Sequence, residues 1–204
     1  MSTPAVPGPR PALDPAALEQ LFTGARTANR FTDEPVTDEQ VAAIVDLVKY
    51  PPTSMNTQPM RLLLVRSPAA REKLATMMSG SNGDKTRSAP LSVVVAADRR
   101  FDEEVPRLFP HVPDARALFA DDAFRERTAV FNTALQLGYL ILGVRAVGLA
   151  AGPMTGIDAV AIEREFFPDG EHAVVAVVNI GVADPRGLRP RGPRLAVEEV
   201  VRTV

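Results

Sequence analysis

Apolar positions along this chain alternate between helical spacing and unbroken strand-like runs, and prolines mark most of the changes. Val41, Ile44, Val45 and Val48 recur at helical spacing behind Thr37-Asp38-Glu39-Gln40. That stretch is a capping box, with Thr37 at the N-cap and Gln40 three residues on. An earlier helix starts at Asp14-Pro15 and presents Leu18, Leu21 and Phe22 on one face. Arg61–Arg66 (RLLLVR), Leu91–Ala97 (LSVVVAA) and Val174–Ile180 (VVAVVNI) read as three buried strands. Ser67-Pro68 opens a helix to about Met78, Ser79–Ser88 reads as a loop, and Asp158 caps a helix to about Phe166. Residues 98–121 form a charged, proline-interrupted excursion with short helices near 101–108 and 113–119.

The longest element runs over 122–147, and no charged residue occurs from Thr128 to Val144. A membrane span is one reading. Thr128, Asn132, Thr133 and Gln136 within a short uncharged run favour instead a helix buried all round, in a core or at a subunit interface. Gly138 and Gly143 would let a partner element come close. Gly152-Pro153-Met154-Thr155-Gly156 then reads as a tight polar connection. This order of elements predicts an α+β fold, a three-layer sandwich around a central mixed sheet, with the long helix in the core or at a dimer interface. A flexible arm is expected at 1–13 and a single domain over 14–204.

Composition narrows the function. The 23 basic and 25 acidic residues leave a net charge of −2, which gives no electrostatic footprint for nucleic acid or an anionic membrane. There is no cysteine, and His111 and His172 lie far apart, so neither a thiolate nucleophile nor a dedicated metal site is expected. The Pro- and Ala-rich start has no apolar core of a secretory signal, which makes the expected location cytoplasmic. Nucleotide-binding glycine motifs, a nucleophile elbow and HExxH are all missing from the sequence. A bound cofactor is therefore expected to carry the reaction.

Four polar stretches are candidates to hold one. Pro51-Pro52-Thr53-Ser54-Met55-Asn56-Thr57-Gln58-Pro59 cannot continue a helix and presents Thr53, Ser54, Asn56 and Gln58 as hydrogen-bonding groups. Arg26, Thr27 and Asn29 open the domain, while Arg189, Arg191 and Arg194 of a tail made basic also by Arg186 close it; guanidinium forks match phosphate geometry. Asn82 and Lys85 share one loop and suit the polar edge of a heterocycle. For each stretch the alternative is an ordinary solvated surface.

Arg26-Thr27-x-Asn29-x-Phe31, Pro52-Thr53-Ser54-x-Asn56-x-Gln58-Pro59, Asn82-x-x-Lys85, Gly152–Gly156 and the basic tail, in that order, resemble the FMN-dependent nitroreductase family. Val105-Pro106-Arg107-Leu108-Phe109-Pro110-His111 and Gly152–Gly156 make the chain most similar to the family's malonic semialdehyde reductases of pyrimidine catabolism. The resemblance implies a homodimer with FMN at the interface. It places Arg26, Thr27, Arg191 and Arg194 at the FMN phosphate and Asn29 toward the flavin's pyrimidine edge. Ser54, Met55 and Asn56, with Gln58 nearby, match a loop that the second subunit lays along the isoalloxazine. Asn82 and Lys85 match the pyrimidine-edge pair, where a cation stabilises reduced flavin. Pro153, Met154, Thr155 and Gly156 match the backbone near N5. Ala25 and Asn29 stand where many members carry basic residues, so fewer cations than usual come from the opening loop.

The implied activity is ping-pong hydride transfer through flavin N5, from NADPH or NADH to malonic semialdehyde, giving 3-hydroxypropionate. Arg107 and His111 are candidate contacts for the substrate's carboxylate. A broad nitroaromatic or quinone reductase and a non-catalytic flavin-binding protein are the alternatives.

Overall fold

The structure, a computed structural model, describes residues 11–204. The first ten residues of the expected arm lie outside the described residues. Asp14 accepts from the Ala17 N–H at 2.8 Å and starts α1 (Pro15–Leu18), which widens into a π-helical turn at Glu19–Thr23. The capping box forms as expected: Gln40 N–H donates to Thr37 Oγ1 at 3.2 Å and Thr37 N–H donates to Gln40 Oε1 at 2.9 Å. It starts α2 (Asp38–Val48), which buries Ile44 and Val48.

Four strands follow, β1 (Met60–Val65), β2 (Leu91–Asp98), β3 (Ala150–Met154) and β4 (His172–Gly181), in the spatial order β1-β2-β4-β3. Every neighbouring pair is antiparallel, so the expected mixed sheet is corrected. Two helices, α3 (Pro68–Thr76) and α4 (Asn82–Ser88), separate β1 from β2, and this double pass returns the chain in the opposite sense. A single crossover helix would have made the two parallel. Two local expectations change as well. Ser79–Ser88 is a short turn followed by α4 rather than a loop. The Gly152–Gly156 connection begins inside β3; Pro153 is tolerated there because β3 is an edge strand.

Helices cover both faces of the sheet. Val93, Val95, Val178 and Ile180 pack with Ile44 and Val48 of α2 and with Leu140 and Val144 of α6 (Asp122–Ala146). On the other face Val94, Val177 and Met154 meet Leu74 of α3 and Ile162 of α7 (Ala159–Phe166). The excursion, which contains α5 (Val105–Leu108), closes one end of the sheet with Phe101 and Phe119 edge-to-face at 4.9 Å. A short exposed helix, α8 (Val197–Val200), lies in the tail.

The long helix is not buried all round within one subunit. Its inner face holds Asn132, Thr133, Gln136, Leu140, Gly143 and Val144, whereas Phe131 on the outer face is 66% exposed, Leu135 43% and Tyr139 44%. By length and composition α6 could cross a membrane. Two of its polar side chains nonetheless have specific partners: Asn132 Oδ1 accepts from the Ser54 N–H at 2.8 Å and Gln136 Oε1 from the Met60 N–H at 3.0 Å. Gly143 permits the expected close approach, since a Cβ there would lie 2.2 Å from Val48 Cγ1. Gly138 meets no such neighbour among the described residues.

Candidate functional site

The opening loop lies directly on edge strand β3. Ala28 N–H donates to the Ala151 carbonyl at 3.1 Å, and a Cβ on Gly152 would come within 2.5 Å of the Ala28 carbonyl oxygen. Glycine at 152 therefore sets how closely Thr27, Ala28 and Asn29 can approach the strand. The tail returns to the same place: Arg191 donates to the carbonyls of Thr23 and Ala25, and Asn29 Nδ2 lies 3.4 Å from the Gly187 carbonyl. The opening loop and the tail thus converge on one edge of the sheet.

Between them is a groove of about 400 Å³ lined by Arg26, Arg145, Arg189, Arg191 and Arg194, with Thr27 and Asn29 at one side. None of the five arginines pairs with a carboxylate among the described residues, whereas nearby Arg30 and Arg186 are both taken by Asp184. Burial and the charges of Arg26 and Arg194 hold the pKa of Arg191 below its ordinary value. Arg189, Arg191 and Arg194 are exposed and Arg26 and Arg145 half-buried, so the groove presents its positive charge to solvent and attracts an anion. Phosphate, with three strong acceptor oxygens, has the matching chemistry.

Thr27 and Asn29 also line a second cavity of about 130 Å³ with Asn82, Lys85, Gly152 and Pro153. Asn82 Nδ2 donates to the Gly156 carbonyl at 3.2 Å, and Lys85 Nζ donates to Asn82 Oδ1 at 3.3 Å. Lys85 is half-buried and has no carboxylate partner among the described residues. This notch offers amides and one cation to a flat, polar-edged ring. Met154 turns its side chain into the core beside Val94 and Val177, so only its backbone faces the notch. Thr155 is exposed and lies outside the lining.

The Pro51–Pro59 loop is not brought to this groove within one subunit. Gln58 precedes β1, at the opposite sheet edge from β3, and β1 starts level with the far end of β2. Ala151 sits level with Ile180 and Leu91, at the other end. Strand spacing and rise put the loop about 25 Å from the opening loop. Met55, Asn56 and Gln58 all have positive φ, at 50°, 54° and 43°. Each such residue costs about 1–2 kcal/mol, which the loop offsets through fixed hydrogen bonds. Besides the Asn132 contact, Gln58 N–H donates to Thr53 Oγ1 at 3.2 Å and Asn56 Nδ2 to the Leu108 carbonyl at 2.9 Å.

The last of these bonds brings the excursion against the loop. Arg107 is exposed and held by Glu104 at 2.7 Å, and the His111 ring lies 3.9 Å from that of Phe109. Two residues of the site were not singled out from sequence. Arg145 is the charge that ends the uncharged run of α6, and Asn179 is the lone amide in VVAVVNI. Asn179 lines the notch while accepting from Ser92 Oγ at 2.7 Å.

Fold and site together define an α+β protein with an arginine-lined groove and an amide-and-lysine notch along one sheet edge. Comparisons with known proteins specify it further. The nitroreductase family model matches residues 22–182. A Streptomyces coelicolor protein provisionally named NADH dehydrogenase/NAD(P)H nitroreductase is 56% identical over 193 residues, covering 94% of this chain and 98% of its own. A Ralstonia nicotianae protein of the same provisional name is 47% identical over 195 residues, covering 95% and 100%. The crystal structure of a provisionally assigned nitroreductase from Exiguobacterium sibiricum in complex with FMN has a TM-score of 0.81 at 18% identity, covering 96% of this chain and 99% of that one. The chain belongs to the nitroreductase family. It is an oxidoreductase of that family.

Proposed function

We propose that the enzyme works as a cytoplasmic homodimer. The arginine groove would hold the FMN phosphate, Asn82 and Lys85 would hold the pyrimidine edge, and the Pro153–Gly156 backbone would face the reactive part of the ring. The observation that carries this reading is the continuity of the acid-free cationic groove with the amide-and-lysine notch through Thr27 and Asn29. When bound, the flavin takes hydride from a reduced nicotinamide and gives it to an acceptor. Lys85 supports the negative charge that reduction places on the ring edge, and Asn82 orients both Lys85 and the Gly156 carbonyl.

The second subunit supplies Ser54, Met55, Asn56 and Gln58. This is supported by the separation of about 25 Å within one subunit and by the uncovered apolar face of α6. With that loop comes the excursion it is tied to, so Arg107 and His111 approach the same pocket from the partner. Arg107, exchanging Glu104 for a substrate carboxylate, would suit a small carboxylate-bearing aldehyde, and we propose malonic semialdehyde, reduced to 3-hydroxypropionate. A broad nitroaromatic or quinone reductase is the second reading, favoured by the provisional names of the relatives.

The test begins with the visible spectrum of the purified protein under anaerobic NADPH or NADH. Bleaching of a flavin band is expected; a protein that stays colourless after FMN is added would sink the reading. Turnover is then compared between malonic semialdehyde and a nitroarene, with Arg107→Ala alongside. The aldehyde reading requires a higher kcat/KM for the aldehyde and a raised KM in the variant. An unchanged KM removes Arg107 from the site.

A further inference from the structure

Ala25 and Asn29 leave the opening loop with Arg26 as its one cation in the groove. The fold brings another from an unrelated element. Arg145 occupies the last turn of α6 and lines the groove together with Arg26 and Arg191. It also lines an adjoining, mostly apolar cleft of about 460 Å³, so Ala25, Arg26 and Arg145 form the wall that the two cavities share. The guanidinium is held in place: Nη1 donates to the Leu21 carbonyl at 3.1 Å, while Gln20 Nε2 donates to the Arg145 carbonyl at 2.7 Å and ties down the helix end.

Arg145 is half-buried, and burial and neighbouring Arg191 both hold its pKa below the ordinary arginine value. Glu19, the acid that lines the cleft behind, makes no ion pair with it. The carbonyl end of a helix favours a cation, which accounts for part of its placement. It does not account for a fixed, half-buried charge that lies beside other arginines and is paired with no carboxylate among the described residues, since such a charge calls for a partner.

We propose that Arg145 is a phosphate-binding residue of the flavin site, supplying from the end of α6 a cation that the opening loop lacks at Ala25 and Asn29. This rests on the flavin reading above. A charge-assisted bond from a held guanidinium to phosphate discriminates by about ten- to a hundredfold in affinity. The contribution is confined to ligands that carry the phosphate.

The experiment titrates flavin-free protein with FMN and with riboflavin, which has the same ring and no phosphate, following fluorescence quenching at low and high salt. Arg145→Met is expected to weaken FMN at least tenfold, leave riboflavin within twofold and flatten the salt dependence; Arg145→Lys is expected to recover part of the loss. Inorganic phosphate should raise the melting temperature of the native protein and not that of Arg145→Met. Equal losses for FMN and riboflavin would make Arg145 structural and overturn the assignment, as would unchanged affinity for both. Failure of the native protein to bind either flavin would instead remove the reading on which the assignment rests.

Discussion

Phe131 gives the most demanding test of the dimer. Its ring is 66% exposed at the middle of the uncovered face of α6, beside Leu135 and Tyr139. A phenylalanine side chain buries roughly 200 Å² when fully covered. About two thirds of that, at ~25 cal/mol per Å², gives ~3 kcal/mol for covering this ring. Alanine keeps the Cβ, so Phe131→Ala forfeits about 2–3 kcal/mol per ring. A two-fold interface contains the ring twice, which makes the loss about 4–6 kcal/mol per dimer. That corresponds to a dimer dissociation constant raised by about 10³ to 10⁴. Sedimentation velocity over a dilution series would measure it, with bound FMN recorded on the same samples. FMN is expected to leave as the dimer dissociates, because the loop from the partner leaves with it. A variant with the native dissociation constant would refute the assignment of this face. Dissociation with full retention of FMN would refute the second-subunit loop.

Two further outcomes follow from single contacts. Asn132→Leu removes the acceptor of the Ser54 N–H in a buried setting, which costs about 1–3 kcal/mol in chemical denaturation and should speed hydrogen exchange through Ser54–Gln58; unchanged exchange there would show that the loop is held by other means. Asp184 is lowered from 3.8 to about 2, first by its hydrogen bond from the Arg186 side chain and then by the Arg186 N–H, so its contribution to stability is complete above about pH 4 and is lost as pH falls toward 2. Asp184→Asn should therefore flatten the acid limb of the melting-temperature profile in that window, and an acid limb identical to the native one would refute the pairing.

Local physical chemistry fixed much of this protein in advance. The Thr37–Gln40 box, the apolar runs of β1, β2 and β4, and the limits of α6 each depend on neighbouring residues alone. They were legible for that reason. The candidate cofactor residues came from a family pattern in the sequence rather than from local structure. Edge strand β3 was not: Ala150–Met154 has no β-branched residue and contains a proline, and it became a strand only because β4 offered an open edge. Helix α4 was hidden by Gly, Ser and Asn of low helical preference. Which charges gather was also a tertiary decision. Arg26, Arg145 and Arg191 are distant in sequence, and Arg186 resembles Arg191 until Asp184 claims it. Pairing energies depend on distances that only the folded chain sets. The same is true of α6: sequence shows that it is apolar on every side, but the packing of one subunit decides which side is left for a partner to cover.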